Sequence, residues 1–511
     1  MEKKGKVYLV GAGPGDPGLL TLRAKEVLEE ADVIVYDYLA HPEILEFAKK
    51  AEKIYVGKTA GKHTLPQNEI NQLLIDKAKA GKTVVRLKGG DPFIFGRGGE
   101  EAEELVKEGI LFEVVPGVTS AIAVPAYAGI PLTHRAYASS VAFVTGHEDP
   151  KKTDSAIHWE KLTKGVDTLV FLMGVGRLPI IVEELLKHGR SPNTPVAIIR
   201  WGTLPEQETI IGTLNEIVDK AEKKGIKPPA IIVVGEVVRL REKLNWWEKK
   251  PLFGKKILIT RTQEQASEMA KMLRILGAKC YVVPTIAIVP PLNWEPLDNA
   301  IAQLNKYDWC LFTSVNGVKY FRQRLESLGK DVRVMNSVKI GVIGEKTAQA
   351  LKEWGIFPDL MPKEFRAEAL AEALKETGIK GKKILLARAE KARDILPEEL
   401  KAAGAEVDII PVYRTVLPKE KKEDIKKIFK EGIDIIVFTS SSTVKHLAAL
   451  IEPKTLSELL KDVTIACIGP VTAKTLSNFG LKTHIMPTTY TIKSLIEKIV
   501  QWEITSDFNI A

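Results

Sequence analysis

Val7-Tyr8-Leu9-Val10 runs straight into Gly11-Ala12-Gly13-Pro14-Gly15-Asp16-Pro17-Gly18, after which the pattern turns helical from Leu19. A short apolar strand, a glycine loop and a helix start are the parts of a nucleotide-type site, because bare backbone lets a ligand approach closely. Read from Gly11, the dinucleotide fingerprint nevertheless fails, since Asp16 stands where GxGxxG needs its third glycine. Pro14 and Pro17 also stiffen the loop and remove donors that a pyrophosphate would need. Alone, this loop reads either as a ligand site or as a purely structural turn.

Two more strand ends carry glycine. Val84 to Leu87 leads into Lys88-Gly89-Gly90-Asp91-Pro92-Phe93-Ile94-Phe95-Gly96-Arg97-Gly98-Gly99, where Asp91 offers acceptors for a ribose or an amino group. Val115-Pro116-Gly117-Val118-Thr119-Ser120-Ala121 opens a helical stretch with a hydroxyl pair. No GxxxxGK[ST] motif covers any of the three, so they suit an adenosine ligand without a polyphosphate.

Outward from these loops, short β-branched runs bounded by Gly or Pro alternate with helical patterns along the chain. Val33 to Tyr36, Thr83 to Leu87, Thr168 to Leu172 and Ile231 to Val234 are examples. They predict an α/β fold with largely parallel sheets. At 511 residues the chain exceeds what one core serves, and three or four compact units are expected. Hydrophobic residues make up 45% and charged residues 27%, a globular balance that excludes a disordered chain. The apolar run behind Met1 to Lys6 is too short for a signal-peptide core, and no run of about 18 apolar residues occurs, so a cytoplasmic, non-membrane protein is expected. Cys280, Cys310 and Cys467 stand too far apart for a CxxC site, which argues against structural metal. A net charge of +9 fits an acidic partner, either nucleic acid or a polycarboxylate.

Period is lost between Arg239 and Phe253, which predicts a linker near residue 248, with Trp246 and Trp247 anchoring it on a domain surface. Beyond it the chain repeats itself. Lys255-Lys256-Ile257-Leu258 with Arg261 recurs as Lys382-Lys383-Ile384-Leu385 with Arg388, an offset of 127. Phe312-Thr313-Ser314 recurs as Phe438-Thr439-Ser440, and Gly344 with Thr347-Ala348 recurs as Gly469 with Thr472-Ala473. Such order predicts two similar α/β units with a ligand at their junction.

The glycine loops, together with Gly129-Ile130-Pro131-Leu132-Thr133-His134-Arg135, Ala138 to His147, Leu169-Val170-Phe171-Leu172-Met173-Gly174, Gly202-Thr203 with Gln207, and Pro229-Ala230-Ile231-Ile232-Val233-Val234-Gly235, resemble the uroporphyrinogen-III C-methyltransferases of the tetrapyrrole methyltransferase family. The resemblance covers residues 1–245 and implies a donor, S-adenosylmethionine, held between lobes of about 1–135 and 136–245. It leaves S-adenosylhomocysteine as product and implies no metal. Carried over, the donor contacts are Pro14, Gly89, Gly90, Asp91, Ile94, Thr119, Ser120, Met173, Gly202 and Ala230, with Thr119-Ser120 where the family commonly has Thr-Ala. Asp37 and Lys58 match positions given acid and base roles. Methyl transfer from a sulfonium spreads charge rather than creating it, so alignment and exclusion of water should supply most of the catalysis. The methylated carbon must then lose a proton, which a nearby base would take.

After a linker at 246–251, residues 252–511 resemble uroporphyrinogen-III synthase through Ile257 to Arg261, Phe312 to Gly317, Pro411-Val412-Tyr413-Arg414-Thr415 and Ile468 to Ala473. The resemblance implies one lobe of 252–287 plus 416–511 and a second of 288–415. It implies closure of a linear tetrapyrrole with eight carboxylates, with loss of a hydroxyl and inversion of ring D. Thr313, Ser314, Thr347, Thr439, Ser440 and Thr472 would meet those carboxylates, although as helix N-caps they would be ordinary. Tyr413 would assist the departing hydroxyl, since a phenol stays protonated at neutral pH. The whole would be a bifunctional enzyme making precorrin-2 for sirohaem or cobalamin. Its partner would be a polycarboxylate tetrapyrrole, not nucleic acid or membrane, with a homodimer through the methyltransferase half. Two other readings stay open: a methyltransferase acting on a later precorrin or another acceptor, and a second half that binds without catalysing.

Overall fold

The computed structural model describes residues 5–57, 65–146, 157–261, 263–418 and 422–508. The chain divides into two compact units, one of residues 1–256, 271–280 and 500–511, the other of 257–270 and 281–499.

In the first unit, β1 (Lys6–Gly11), β2 (Val33–Tyr36), β3 (Glu52–Tyr55), β4 (Thr83–Lys88) and β5 (Leu111–Val115) form a wholly parallel sheet in the order β3-β2-β4-β1-β5. Its central strands β1, β2 and β4 are largely buried, as strands covered by helices on both faces are, while the edge strands β3 and β5 are partly exposed. Val10, Val85 and Leu87 pack under the helix Leu22–Glu30, while Val7, Leu9 and Val84 pack under the helices Gln67–Lys79 and Gly98–Lys107. The helix expected from Leu19 begins later. Asp16 caps a short turn over Pro17–Leu19 by accepting from the Gly18 amide, and Thr21 then caps the true helix at Leu22.

A second sheet joins β6 (Val141–Thr145), β7 (Thr168–Leu172), β8 (Pro195–Arg200), β9 (Glu208–Thr213) and β10 (Ala230–Val234) in the order β6-β7-β10-β8-β9. Only β6 and β7 pair in parallel; β10 runs antiparallel to both its neighbours, and β8 and β9 pair antiparallel. The expectation of largely parallel sheets therefore fails here, because β8 returns through the short turn 201–207 and β10 inserts between β7 and β8. One consequence matters for the site: the ends of β7 and β8 and the start of β10 share an edge. The helix Ser120–Tyr127 follows the first sheet, yet its Ala121 and Val124 pack with Leu172, Ile199 and Ile231 of the second. It ties the lobes together, which explains why it is apolar on nearly every side.

The remaining strands are β11 (Lys256–Ile259), β12 (Lys279–Val282), β13 (Ala287–Val289), β14 (Trp309–Phe312), β15 (Lys339–Val342), β16 (Lys383–Ala389), β17 (Glu406–Val416), β18 (Ile435–Phe438) and β19 (Thr464–Cys467). They form two sheets, β12-β11-β18-β19 and β13-β17-β16-β14-β15. Setting β13 aside, the orders match strand for strand under the sequence repeat. The duplication reaches further than the landmarks above. Isolated parallel bridges join Gly341 to Leu360 and Ala466 to Ile485, at an offset of 125 in both members. Met361-Pro362 with Phe365 likewise recurs as Met486-Pro487 with Tyr490.

Candidate functional site

Three turns leave the first sheet at the carboxyl ends of adjacent strands, and they touch. The Gly13 amide donates to the Gly90 carbonyl at 3.1 Å, and the Gly90 amide donates back to Gly13 at 2.7 Å. Asp91 braces the assembly: Oδ2 accepts from the Gly117 amide at 3.0 Å and Oδ1 from the Phe93 amide at 2.8 Å. The turns approach so closely that a Cβ on Gly117 would lie 2.2 Å from the Gly90 carbonyl oxygen and 2.7 Å from the Gly11 Cα. Gly90 itself, at φ +68°, has an open side: a Cβ there meets nothing nearer than 3.7 Å, where Thr119 and Ser120 begin the next helix. Thr119 is buried and caps that helix by accepting from the Ala121 amide.

The second lobe brings its shared edge to the same place. Met173 follows β7 at φ +57°, and Trp201 (φ +49°) and Thr203 (φ +73°) flank Gly202 after β8. Non-glycine residues in this region cost about 1–3 kcal/mol each and gather where a fold holds a site. A Cβ on Gly202 would lie 2.4 Å from the Val124 side chain, so this turn presses on the helix between the lobes. Ala230 starts β10 in register with Arg200. The Asp16 amide donates to Thr203 Oγ1 at 3.1 Å across the lobes. Pro14, Gly89, Gly90, Asp91, Thr119 and Gly202 thus lie on these turns, Ser120 opens the helix between the lobes, and Met173 and Ala230 lie on the shared edge of the second sheet. Ile94 belongs to the loop after Asp91, where Phe93, Ile94 and Phe95 are exposed apolar side chains, as Met173 is.

Asp37 follows β2 at the same sheet edge. Its Oδ1 accepts from the Leu39 amide at 3.1 Å, the local capping expected of an ordinary strand-end aspartate, while Oδ2 lies 3.6 Å from Arg86 Nη2. Lys58 lies outside the described residues. Behind Asp37 the sequence reading missed a buried ionic group of Arg86, Lys88 and Glu101. Burial, then the neighbouring Arg86, pushes the Lys88 ammonium below its ordinary value against the pull of Glu101. A signal was available, since Glu101 stands one helical turn from Gly98 and from the apolar Leu105, on the buried face of Gly98–Lys107.

The linker is docked. Trp247 is buried and donates to the Leu204 carbonyl, Trp246 donates to the Ala126 carbonyl, and both rings pack against Tyr127 at about 5 Å. Tyr127 in turn donates to Asp16 Oδ2 at 2.7 Å. Burial first, then this bond, pushes its hydroxyl well above the ordinary tyrosine range. The unfolded chain releases that proton near pH 10 and the folded chain holds it to higher pH, so the stability it adds is present below about pH 10 and lost above it. Tyr127→Phe is expected to flatten the alkaline fall in melting temperature; an unchanged slope contradicts this role.

In the second unit Tyr413 lies on β17, buried, with its hydroxyl 3.0 Å from Ser314 Oγ and its ring stacked on Tyr320. Ser314 and Ser440 are N-caps of equivalent helices, following Thr313 and Thr439. Thr347 and Thr472 differ: both are buried inside their helices, and Gly344 and Gly469 hold the cap positions. Over each of those glycines sits an exposed aromatic ring, Phe365 or Tyr490, about 3.2–3.3 Å from where a Cβ would stand. Among the described residues no three His, Cys, Asp or Glu side chains gather as a metal site, and no helix is long and apolar enough to cross a membrane.

The family profile described as tetrapyrrole (corrin/porphyrin) methylases matches residues 6–218, and the one described as uroporphyrinogen-III synthase HemD matches residues 267–497. A porphyrin biosynthesis protein HemD of Ruminiclostridium josui is 42% identical over 499 residues, covering 97% of this chain and 98% of that one. An S-adenosyl-L-methionine-dependent uroporphyrinogen III methyltransferase of Methanosarcina barkeri is 60% identical over 242 residues, 47% of this chain and 95% of its own. A uroporphyrinogen-III C-methyltransferase of Bacillus subtilis is 44% identical over 355 residues, 69% of this chain and 72% of its own. The chain belongs to the S-adenosylmethionine-dependent uroporphyrinogen-III C-methyltransferases through its first half and to the uroporphyrinogen-III synthases through its second. It is a bifunctional enzyme of tetrapyrrole biosynthesis.

Proposed function

We propose that the second half closes linear hydroxymethylbilane to uroporphyrinogen III with inversion of ring D, and that the first half methylates this product at C2 and C7 to give precorrin-2. The observation that carries the methyl-transfer half is the meeting of the Gly13, Gly90 and Gly117 turns beside the open side of Gly90, with the Gly202 turn of the second lobe reaching Asp16 and Val124. That cradle fits an adenosyl group, because it offers bare backbone without the donors of a pyrophosphate loop, and each Asp91 oxygen keeps a lone pair for a ribose hydroxyl beside the amide it already accepts from. Pro14, Gly89, Gly90, Asp91, Ile94, Thr119, Ser120, Met173, Gly202 and Ala230 are the residues that would hold it. S-adenosylmethionine, when bound, supplies an electrophilic methyl group. The chain's own part is alignment, exclusion of water by Met173 and the apolar 93–95 loop, and a proton acceptor at Asp37, with Lys58 as its partner.

In the synthase half, Ser314 donating to Tyr413 would leave the phenol its own proton for the departing hydroxyl. Thr313, Ser314, Thr439 and Ser440 would serve the carboxylates at equivalent helix starts, with Thr347 and Thr472 in the first turn of the two helices capped by Gly344 and Gly469. Tyr413→Phe is expected to slow ring closure about a hundredfold, the usual scale of a positioned acid, while methylation of supplied uroporphyrinogen III is unchanged. Ring closure at the parental rate contradicts this role. A homodimer contact is assigned to the methyltransferase half, and the setting to the cytoplasm.

Incubation of the purified chain with linear tetrapyrrole and methyl donor, followed by mass and isomer analysis, tests the whole reading. Two added methyls on the type III isomer are expected. A single methyl on another acceptor, or no ring closure, overturns it.

A further inference from the structure

Arg86 and Lys88 stand on β4 with side chains turned into the protein at 4% and 5% exposure, and Glu101 meets them at 1%. One carboxylate oxygen of Glu101, Oε1, accepts from Arg86 Nε at 3.1 Å, Lys88 Nζ at 2.8 Å and Gln67 Nε2 at 3.0 Å. Its other oxygen is buried without a hydrogen-bond partner. Arg86 Nη1 donates to the carbonyls of Leu87 at 3.1 Å and Val35 at 3.4 Å. Val35 is also its register partner on β2, two residues before Asp37. The remaining arm, Nη2, faces Asp37 Oδ2.

Charge makes this arrangement more than packing. Two buried cations share one fully buried carboxylate, and a buried charge is tolerated only when paired. Asp37 is the second anion, and it stands where the buried group meets the open cradle. The guanidinium is planar and held on two other sides, so it presents Nη2 in one direction rather than following the carboxylate about. Oδ1 accepts from the Leu39 amide, and Oδ2 lies 3.6 Å from Nη2, an ion-pair distance at which the fixed guanidinium orients the carboxylate by charge.

We propose that Arg86, locked by Glu101, is a positioning residue for methyl transfer: it sets the Asp37 carboxylate at the cradle mouth. The inference rests on the reading of Asp37 as the proton acceptor. It makes no contact with the donor and acts only through Asp37.

A double-mutant cycle separates this from a structural role, because residues acting through one another are not additive. Arg86→Lys, Asp37→Asn and the double variant of the 511-residue chain are compared by kcat and KM for uroporphyrinogen III, with S-adenosylhomocysteine affinity as the check on folding. Arg86→Lys is expected to lower kcat about tenfold, a part of the 10²–10⁴ that a positioned base supplies, with KM and affinity within about twofold. In the Asp37→Asn background the same change is expected to have no further effect. If the two losses multiply, Arg86 does not act through Asp37 and the proposal fails. If Asp37→Asn alone turns over at the parental rate, the reading of Asp37 fails instead. Should Arg86→Lys lose affinity for S-adenosylhomocysteine, Glu101→Gln takes its place in the cycle and is judged by the same two outcomes.

Discussion

Gly117→Ala is expected to cut the affinity for S-adenosylhomocysteine about ten- to hundredfold. The added methyl would fall 2.2 Å from the Gly90 carbonyl oxygen, with the Gly11 backbone close on its other side. All of these neighbours are main chain and cannot swing away as a flexible side chain would. The turns must part instead, at an overpacking cost of about 1–3 kcal/mol. Each 1.4 kcal/mol borne by the bound state is a factor of ten in affinity. Gly165→Ala is the control, since its Cβ would meet nothing within 4 Å, and binding should be parental. Equal affinity in the Gly117→Ala protein would remove the contact of the turns from the account.

Asp37→Ala should act on the other quantity. Losing the carboxylate removes the proton acceptor and leaves Arg86 facing empty space, so methyl transfer is expected to fall by about a hundredfold or more. The proposed donor cradle draws on the turns after β1, β4, β5, β7 and β8 and on the start of β10, and does not include the Asp37 side chain. Affinity for S-adenosylhomocysteine should therefore stay within about 0.5 kcal/mol, as for a substitution away from the binding contacts. Ring closure, carried by the other half, should be unaffected. A variant that loses affinity and turnover together would make Asp37 part of the cradle rather than of the chemistry.

How far the sequence could be read depends on range. The first sheet was legible through β1, β2 and β4, short β-branched or apolar runs, and the three glycine turns after β1, β4 and β5 were visible as loops. The duplication in the second half was legible as matched landmarks, and the sheet orders repeat it strand by strand. The antiparallel pairing of β10 was not, since β7, β8 and β10 read alike as buried runs and nothing local records direction. That pairing is what sets Met173, Gly202 and Ala230 on one edge.

Side-chain partners were the harder part. Asp91 offered acceptors in the sequence, but only the fold shows both oxygens bracing neighbouring turns. Thr347 and Thr472 looked like caps because they follow strands, yet glycine takes the cap three residues earlier in each case. The pairing of Arg86, Lys88 and Glu101 was not legible, since residues 13 to 15 apart in sequence meet only when the helix folds back onto β4. Trp246 and Trp247 were expected to anchor a linker, and they do so against Tyr127, whose bond to Asp16 reaches the glycine loop.

The central claim is that turns from both lobes of the first half build an adenosyl cradle. Calorimetric titration of S-adenosylhomocysteine into the 511-residue chain tests it most directly. A saturable heat that is kept by Asp37→Ala and greatly weakened by Gly117→Ala is the predicted result, and no heat from the parental protein would contradict it.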